Sequence, residues 1–119
     1  MAKILVVDDI AVERANNTAI LIKNGHTVIE ATNGAMAVQM AKEHMPAAIV
    51  MDIVMPEMDG FSAAKKLMMD PTTKGIPVIM VSTKSQESDR FRATQLGAKG
   101  YLIKPAKEAD LMAILKGLI

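Results

Sequence analysis

Short, almost wholly apolar runs alternate with longer stretches of helical period along the whole chain, and this alternation constrains the fold more than any other feature. The runs KILVVDD at 3–9, HTVIEA at 26–31, AAIVMD at 47–52, IPVIMVS at 76–82 and GYLIK at 100–104 read as strands. Between and after them, 11–25, 33–46, 61–70, 86–97 and 107–119 read as helices. In 33–46 the apolar residues fall at 36, 37, 40, 41 and 45, and Pro46 stops the run. Gly25 and Gly97 stand where left-handed helix caps are expected. Asp59-Gly60 reads as a cap and turn before the third helix, and "TNGA" at 32–35 as a cap rather than a phosphate loop, because no lysine follows it. Strands this apolar are expected where helices cover both faces of a parallel sheet. With right-handed crossovers, the fold class is α/β: a doubly wound, five-stranded parallel sheet flanked by five helices.

The 119 residues suffice for one domain, residues 1–119, with no linker, repeat or low-complexity segment. Half of them are hydrophobic, so the core needs no disulfide or structural metal. The chain has no cysteine, which removes thiolate and sulfur-ligated metal chemistry and fits the cytoplasm. A net charge of +1 argues against nucleic acid as partner. No apolar run approaches the roughly 20 residues of a membrane span, and the N-terminus meets acids too early for a signal peptide. The 11 methionines read as adaptable core filler.

In doubly wound sheets, ligands bind beyond the carboxyl ends of the strands. The first strand ends at Asp8 and Asp9, the third at Asp52, the fourth at Ser82 and Thr83, and the fifth at Lys104. Three carboxylates on one rim repel unless a cation sits among them. Oxygen ligands without His or Cys suit Mg²⁺, or Mn²⁺, and no loop offers the repeated oxygens of a usual Ca²⁺ site. A carboxylate, a hard cation, a hydroxyl and an ammonium are the parts needed for phosphoryl transfer to an aspartate. Asp52 is then the nucleophile, Lys104 and the metal neutralise the phosphoryl oxygens, and Ser82 hydrogen-bonds one of them.

VVDD at 6–9, MDIVMPEMDG at 51–60, VIMVS at 78–82 and GAKGYLIKP at 97–105, in this order and spacing, closely resemble the receiver domain of bacterial two-component response regulators. The resemblance spans the whole chain. It implies strand order 2-1-3-4-5, as in the flavodoxin/CheY-like fold. It makes Asp8 and Asp9 the acidic pair, Asp52 the phosphoacceptor, Lys104 the invariant lysine and Ser82 the switch hydroxyl. It implies a metal ligand from the main-chain carbonyl of Val54, beside Asp8, Asp9 and Asp52, and a cis bond between Lys104 and Pro105. It implies a histidine kinase as phosphoryl donor, and no turnover beyond the protein's own phosphorylation and dephosphorylation. Output is expected from a single-domain monomer docking to a protein target through the fourth helix, fifth strand and fifth helix. The stretches STKSQESDR and DIVMPEMDG look most like single-domain regulators of chemotaxis and twitching motility (Pil-type). Two positions depart from the family: Ala106 follows "KP" where an aromatic is common, near the expected docking face, and the switch hydroxyl is Ser rather than Thr. Lys84 places a cation near the site rim.

Three other readings compete. A phosphohydrolase working through an aspartyl-phosphate needs a second acid two residues after the nucleophile, and that residue is Val54. A nucleotide or flavin binder needs a glycine-rich loop after the first strand, where this chain has DDIAVERA. A phosphate sink without an output target has no sequence signature against it, and Ala106 counts slightly in its favour. His26, at a helix–strand turn, and His44, at a helix end, are expected to be structural. Glu57 and Asp59 are expected in loop and cap positions rather than as metal ligands. The Lys and Arg residues from 84 to 107 can form a docking patch or a solvated surface. Tyr101 either packs as an edge-strand side chain on the final helix or, by the resemblance, rotates inward as the partner of Ser82 in a switch.

Overall fold

The apolar runs become strands because helices shield both of their faces. The computed structural model, which describes all 119 residues, contains β1 (Lys3–Val7), α1 (Ala11–Lys23), β2 (Thr27–Ala31), α2 (Gly34–His44), β3 (Ala48–Met51), α3 (Gly60–Met69), β4 (Val78–Ser82), α4 (Glu87–Gln95), β5 (Gly100–Ile103) and α5 (Glu108–Lys116). All pairings are parallel, and the sheet order is β2-β1-β3-β4-β5. The central strands β3 and β4 are buried throughout, whereas the edge strands β2 and β5 are only partly covered.

Alternation along the strands sends side chains into two cores. Leu5, Val7, Ile49, Met51, Val78 and Met80 meet Ala37 and Ala41 of α2, Phe61, Ala63, Ala64 and Leu67 of α3, and Ala93 of α4. Ile4, Val6, Ala48, Val50, Ile79 and Val81 meet Leu21 of α1 and Leu111 and Leu115 of α5. Small residues on α2 and α3 let those helices lie close to the sheet.

The helix caps follow the sequence. Asn33 accepts from the Met36 N–H at 2.8 Å and Asp59 from the Ser62 N–H at 2.8 Å. Gly25 and Gly97 both take φ of +86°, the left-handed region in which glycine carries no Cβ penalty. The Lys104–Pro105 bond is cis. Some boundaries differ from expectation. β1 stops at Val7 and β3 at Met51, so Asp8 and Asp52 lie one residue past the strands, still buried. α5 ends at Lys116, and Leu118 and Ile119 only fold back in turn-type bonds to the Leu115 carbonyl. The methionines are not all core filler: Met51, Met55 and Met80 are buried, but Met1, Met36, Met45, Met68 and Met69 are exposed.

Candidate functional site

The strand order places the ends of β1, β3 and β4 side by side, and the acids follow from that. The Asp8 N–H donates to the Ala31 carbonyl (3.1 Å), and the Asp52 N–H donates to the Val7 carbonyl (3.0 Å). The sheet thus continues one residue past each strand and fixes both backbones. Each buried carboxylate also takes a main-chain donor: Asp8 Oδ1 from Ile10 at 2.9 Å, and Asp52 Oδ1 from Ile53 at 2.7 Å. Asp8, Asp9 and Asp52 each bring one carboxylate oxygen within 4.8 Å of the others. Asp8 and Asp52 are buried and Asp9 is exposed at the mouth.

Lys104 reaches this cluster from the other side. Its N–H donates to the Ser82 carbonyl at 3.0 Å, which hangs the β5–α5 loop on the end of β4. Its ammonium, only 5% exposed, lies 2.7 Å from Asp8 Oδ2 and 3.0 Å from Asp52 Oδ2. The contact with Asp52 is a directed hydrogen bond. The contact with Asp8 is a close, buried ion pair. Burial holds the Asp8 carboxyl above its ordinary range, and the nearby Lys104 only partly offsets this. For Lys104 burial alone would lower the pKa, but the contacts with Asp8 and Asp52 outweigh it and raise it.

This donor set fits a hard divalent cation. It is all oxygen, its three carboxylates are converged on one point, and they face a single ammonium. Asp8, Asp9 and Asp52 are the side chains that would hold such an ion.

Ser82 is fully buried at the end of β4, and its Oγ accepts from the Lys84 N–H at 3.3 Å. Thr83 lies past the strand and is exposed, outside the cluster. Val54 is 55% exposed and lines an open cavity of about 380 Å³ with Lys84, Phe61 and Arg92. The Lys84 ammonium does not reach into the acids; it leans on α4, 3.8 Å from Asp89 Oδ1. Tyr101 does not pack on the final helix. Its ring joins the core on the α4 side, with the Arg90 guanidinium 5.0 Å from its centroid, and its hydroxyl donates to the Lys84 carbonyl at 2.7 Å. Lys84 thus touches both Ser82 and Tyr101 through its backbone. Ala106 is also not at a docking face: it is 6% exposed, in the core between the sheet, α1 and α5.

His26 accepts from the Ala2 N–H at 3.1 Å and pins the N-terminus, and His44 ends α2 beside Glu43. Glu57 and Asp59 sit in the β3–α3 loop and at the α3 cap. One residue at the site carries no sequence signal. Arg14, on the first turns of α1, donates to the Asp8 carbonyl at 2.8 Å. No motif marks it, since its contact is with a main-chain atom that any residue at position 8 supplies.

The family model for the response regulator receiver domain matches residues 4–116. Over 119 residues, all of this chain and 98% of the relative, the sequence is 43% identical to the protein PilH of Pseudomonas aeruginosa. It is 46% identical to the chemotaxis protein CheY of Bacillus subtilis over 105 residues, 87% of this chain and 85% of that one. Among solved structures, the receiver domain of the sensor histidine kinase PA1611 from Pseudomonas aeruginosa, with a magnesium ion coordinated in its active-site cleft, superposes with a TM-score of 0.90. That pair is 32% identical, over 98% of this chain and 96% of the other.

Proposed function

The chain belongs to the response regulator receiver family, and we propose that it acts as a stand-alone regulator that accepts a phosphoryl group from a histidine kinase on Asp52 and signals by docking to a protein target. The observation that carries this reading is the shared ammonium: Lys104 lies between Asp8 and Asp52, with Asp9 at the open side of the same cluster.

An Asp52 carboxylate oxygen attacks phosphorus, and the bond to the donor's imidazole nitrogen breaks as the new O–P bond forms. The Ile53 N–H on Asp52 Oδ1 keeps the carboxylate in one orientation for that attack. Lys104 holds the carboxylate before transfer and a phosphoryl oxygen afterwards, so its charge is in place as the reaction proceeds. Asp8, Asp9, Asp52 and the Val54 main-chain carbonyl would hold a Mg²⁺ (or Mn²⁺) ion, which would supply further neutralisation of the phosphoryl oxygens. Ser82 turns its hydroxyl toward the phosphoryl group, exchanging the long bond to Lys84 for a charge-assisted one. Tyr101, anchored on the Lys84 carbonyl next door, responds and alters the surface of α4, β5 and α5. Phe91 and Ile103, 66% and 37% exposed on that face, are apolar anchors suited to a protein partner. The protein turns over nothing but its own phosphoryl group, and works as a monomer in the cytoplasm. Similarity to PilH and CheY favours an output in motility or chemotaxis. The phosphate-sink reading loses the argument from Ala106, which is buried.

Incubation with acetyl phosphate and Mg²⁺, followed by mass-spectrometric mapping, tests the reading. Phosphate is expected on Asp52, dependent on Mg²⁺ and absent from Asp52→Ala. Phosphate on another residue, or incorporation indifferent to Asp52→Ala, would overturn it.

A further inference from the structure

The loop that carries Asp8 and Asp9 is only three residues long, Asp8 to Ile10, between β1 and α1. The helix that follows has no side-chain cap: Ile10 is its N-cap residue and offers no acceptor. Something else must fix the loop. The Asp8 side chain does part of this, by accepting from the Ile10 N–H. Arg14 does the rest. Its Nη1 donates to the Asp8 carbonyl at 2.8 Å, while its Nε donates to Glu30 Oε1 of β2 at 2.7 Å. The guanidinium fork thus spans from α1 to β2 and grips the main chain of Asp8 between them. Its side chain is only 20% exposed, so the fork is partly sheltered from competing water. The other exposed ion pair of α1, Lys23 with Glu108, lies at the opposite end of the helix and touches no site residue.

We propose that Arg14, held by Glu30, is a positioning residue for divalent-cation binding: it fixes the β1–α1 backbone so that the Asp8 and Asp9 carboxylates converge with Asp52. This rests on the metal-dependent reading above. The sign of the effect separates positioning from simple charge. A guanidinium beside an acidic cluster repels an incoming Mg²⁺, so by charge alone Arg14→Ala strengthens Mg²⁺ binding. Positioning demands the reverse. Outer-shell partners of metal ligands typically contribute about 10- to 100-fold in affinity, and a grip through one main-chain carbonyl belongs at the lower end, about tenfold.

Calorimetric titration with MgCl₂ on the wild type, Arg14→Ala, Arg14→Lys, Glu30→Gln and the control Lys23→Ala tests this. Expected is about tenfold weaker Mg²⁺ binding by Arg14→Ala. Arg14→Lys should recover part of the loss, since a single ammonium can make one of the two bonds. Glu30→Gln should weaken binding less than Arg14→Ala, and Lys23→Ala should not change it. Amide hydrogen exchange on the metal-free proteins gives a second readout: exchange at Ile10 should quicken in Arg14→Ala while the central strands stay protected. If that variant loses protection throughout, Arg14→Lys and Glu30→Gln, which keep the fold's bulk, decide the matter. Unchanged or tighter Mg²⁺ binding in Arg14→Ala, or unchanged binding in both conservative variants, would overturn the proposal. Failure of the wild type to bind Mg²⁺ would instead overturn the metal-dependent reading.

Discussion

Asp8 illustrates how a proposed metal ligand can oppose folding. Its carboxylate is 1% exposed, and burial raises its pKa from the ordinary 3.8 even with Lys104 beside it. An acid whose folded pKa is raised destabilises the native state once it ionises. That penalty is absent below the unfolded value and grows as pH rises through the folded one. Asp8→Asn is therefore expected to be more stable than the wild type, by about 1 kcal/mol at neutral pH without metal, as is common when a strained functional group is relieved. The advantage should vanish below pH 3.8, and Mg²⁺ binding should fall. Urea denaturation across pH checks both signs; a variant less stable at neutral pH would mean that the pairing with Lys104 outweighs the burial.

At the scale of elements, the site depends on how closely α3 approaches β3. The Gly60 N–H donates to the Ile53 carbonyl at 2.7 Å, and a Cβ at Gly60 would overlap the Asp52 carbonyl oxygen and lie 2.8 Å from Ile53 Cα. Those are backbone atoms and cannot swing aside. Gly60→Ala is expected to cost about 1–3 kcal/mol, as overpacking does, and to slow phosphorylation of Asp52 because its peptide must shift. Gly75 is the useful contrast, since nothing lies within 4 Å of its added Cβ. Gly75→Ala should leave both stability and phosphorylation nearly unchanged. Paired denaturation and acetyl phosphate assays on the two variants check this, and equal effects would show that the crowding is relieved elsewhere.

Across the whole molecule, charge is nearly balanced, at +1, yet three carboxylates gather at one end of the sheet. A cation that binds only the folded state relieves that repulsion and stabilises by mass action, about 2.7 kcal/mol at a hundredfold excess over Kd. At about 4 °C per kcal/mol for a domain near this size, Mg²⁺ should raise Tm by roughly 10 °C under those conditions. Asp9→Ala should abolish most of the rise while keeping the metal-free Tm close to that of the wild type, because Asp9 is exposed. Thermal scans with and without MgCl₂ measure it. A wild-type Tm indifferent to Mg²⁺ would argue against the cluster as a cation site.

The amino-acid sequence by itself determined the elements, their order and the rim on which the acids stand, because the apolar period is local and the apolar runs of β1, β3 and β5 give way directly to Asp8, Asp52 and Lys104. Its motifs also named Asp8, Asp9, Asp52, Ser82 and Lys104 as candidates for one site, through a spacing that survives without coordinates. Tertiary structure decided what depends on distance between remote segments. Lys104 meets Asp8 and Asp52 only because β1, β3, β4 and β5 lie in one sheet. Tyr101 leans on α4 rather than α5, Ala106 points into the core rather than toward a partner, and Lys84 turns to Asp89 instead of the acids. Arg14 was illegible for the same reason. A side chain that acts on a main-chain carbonyl six positions back and on a glutamate sixteen positions ahead leaves no pattern of residue types, and only the packing of α1 across the paired strands β1 and β2 brings the three together.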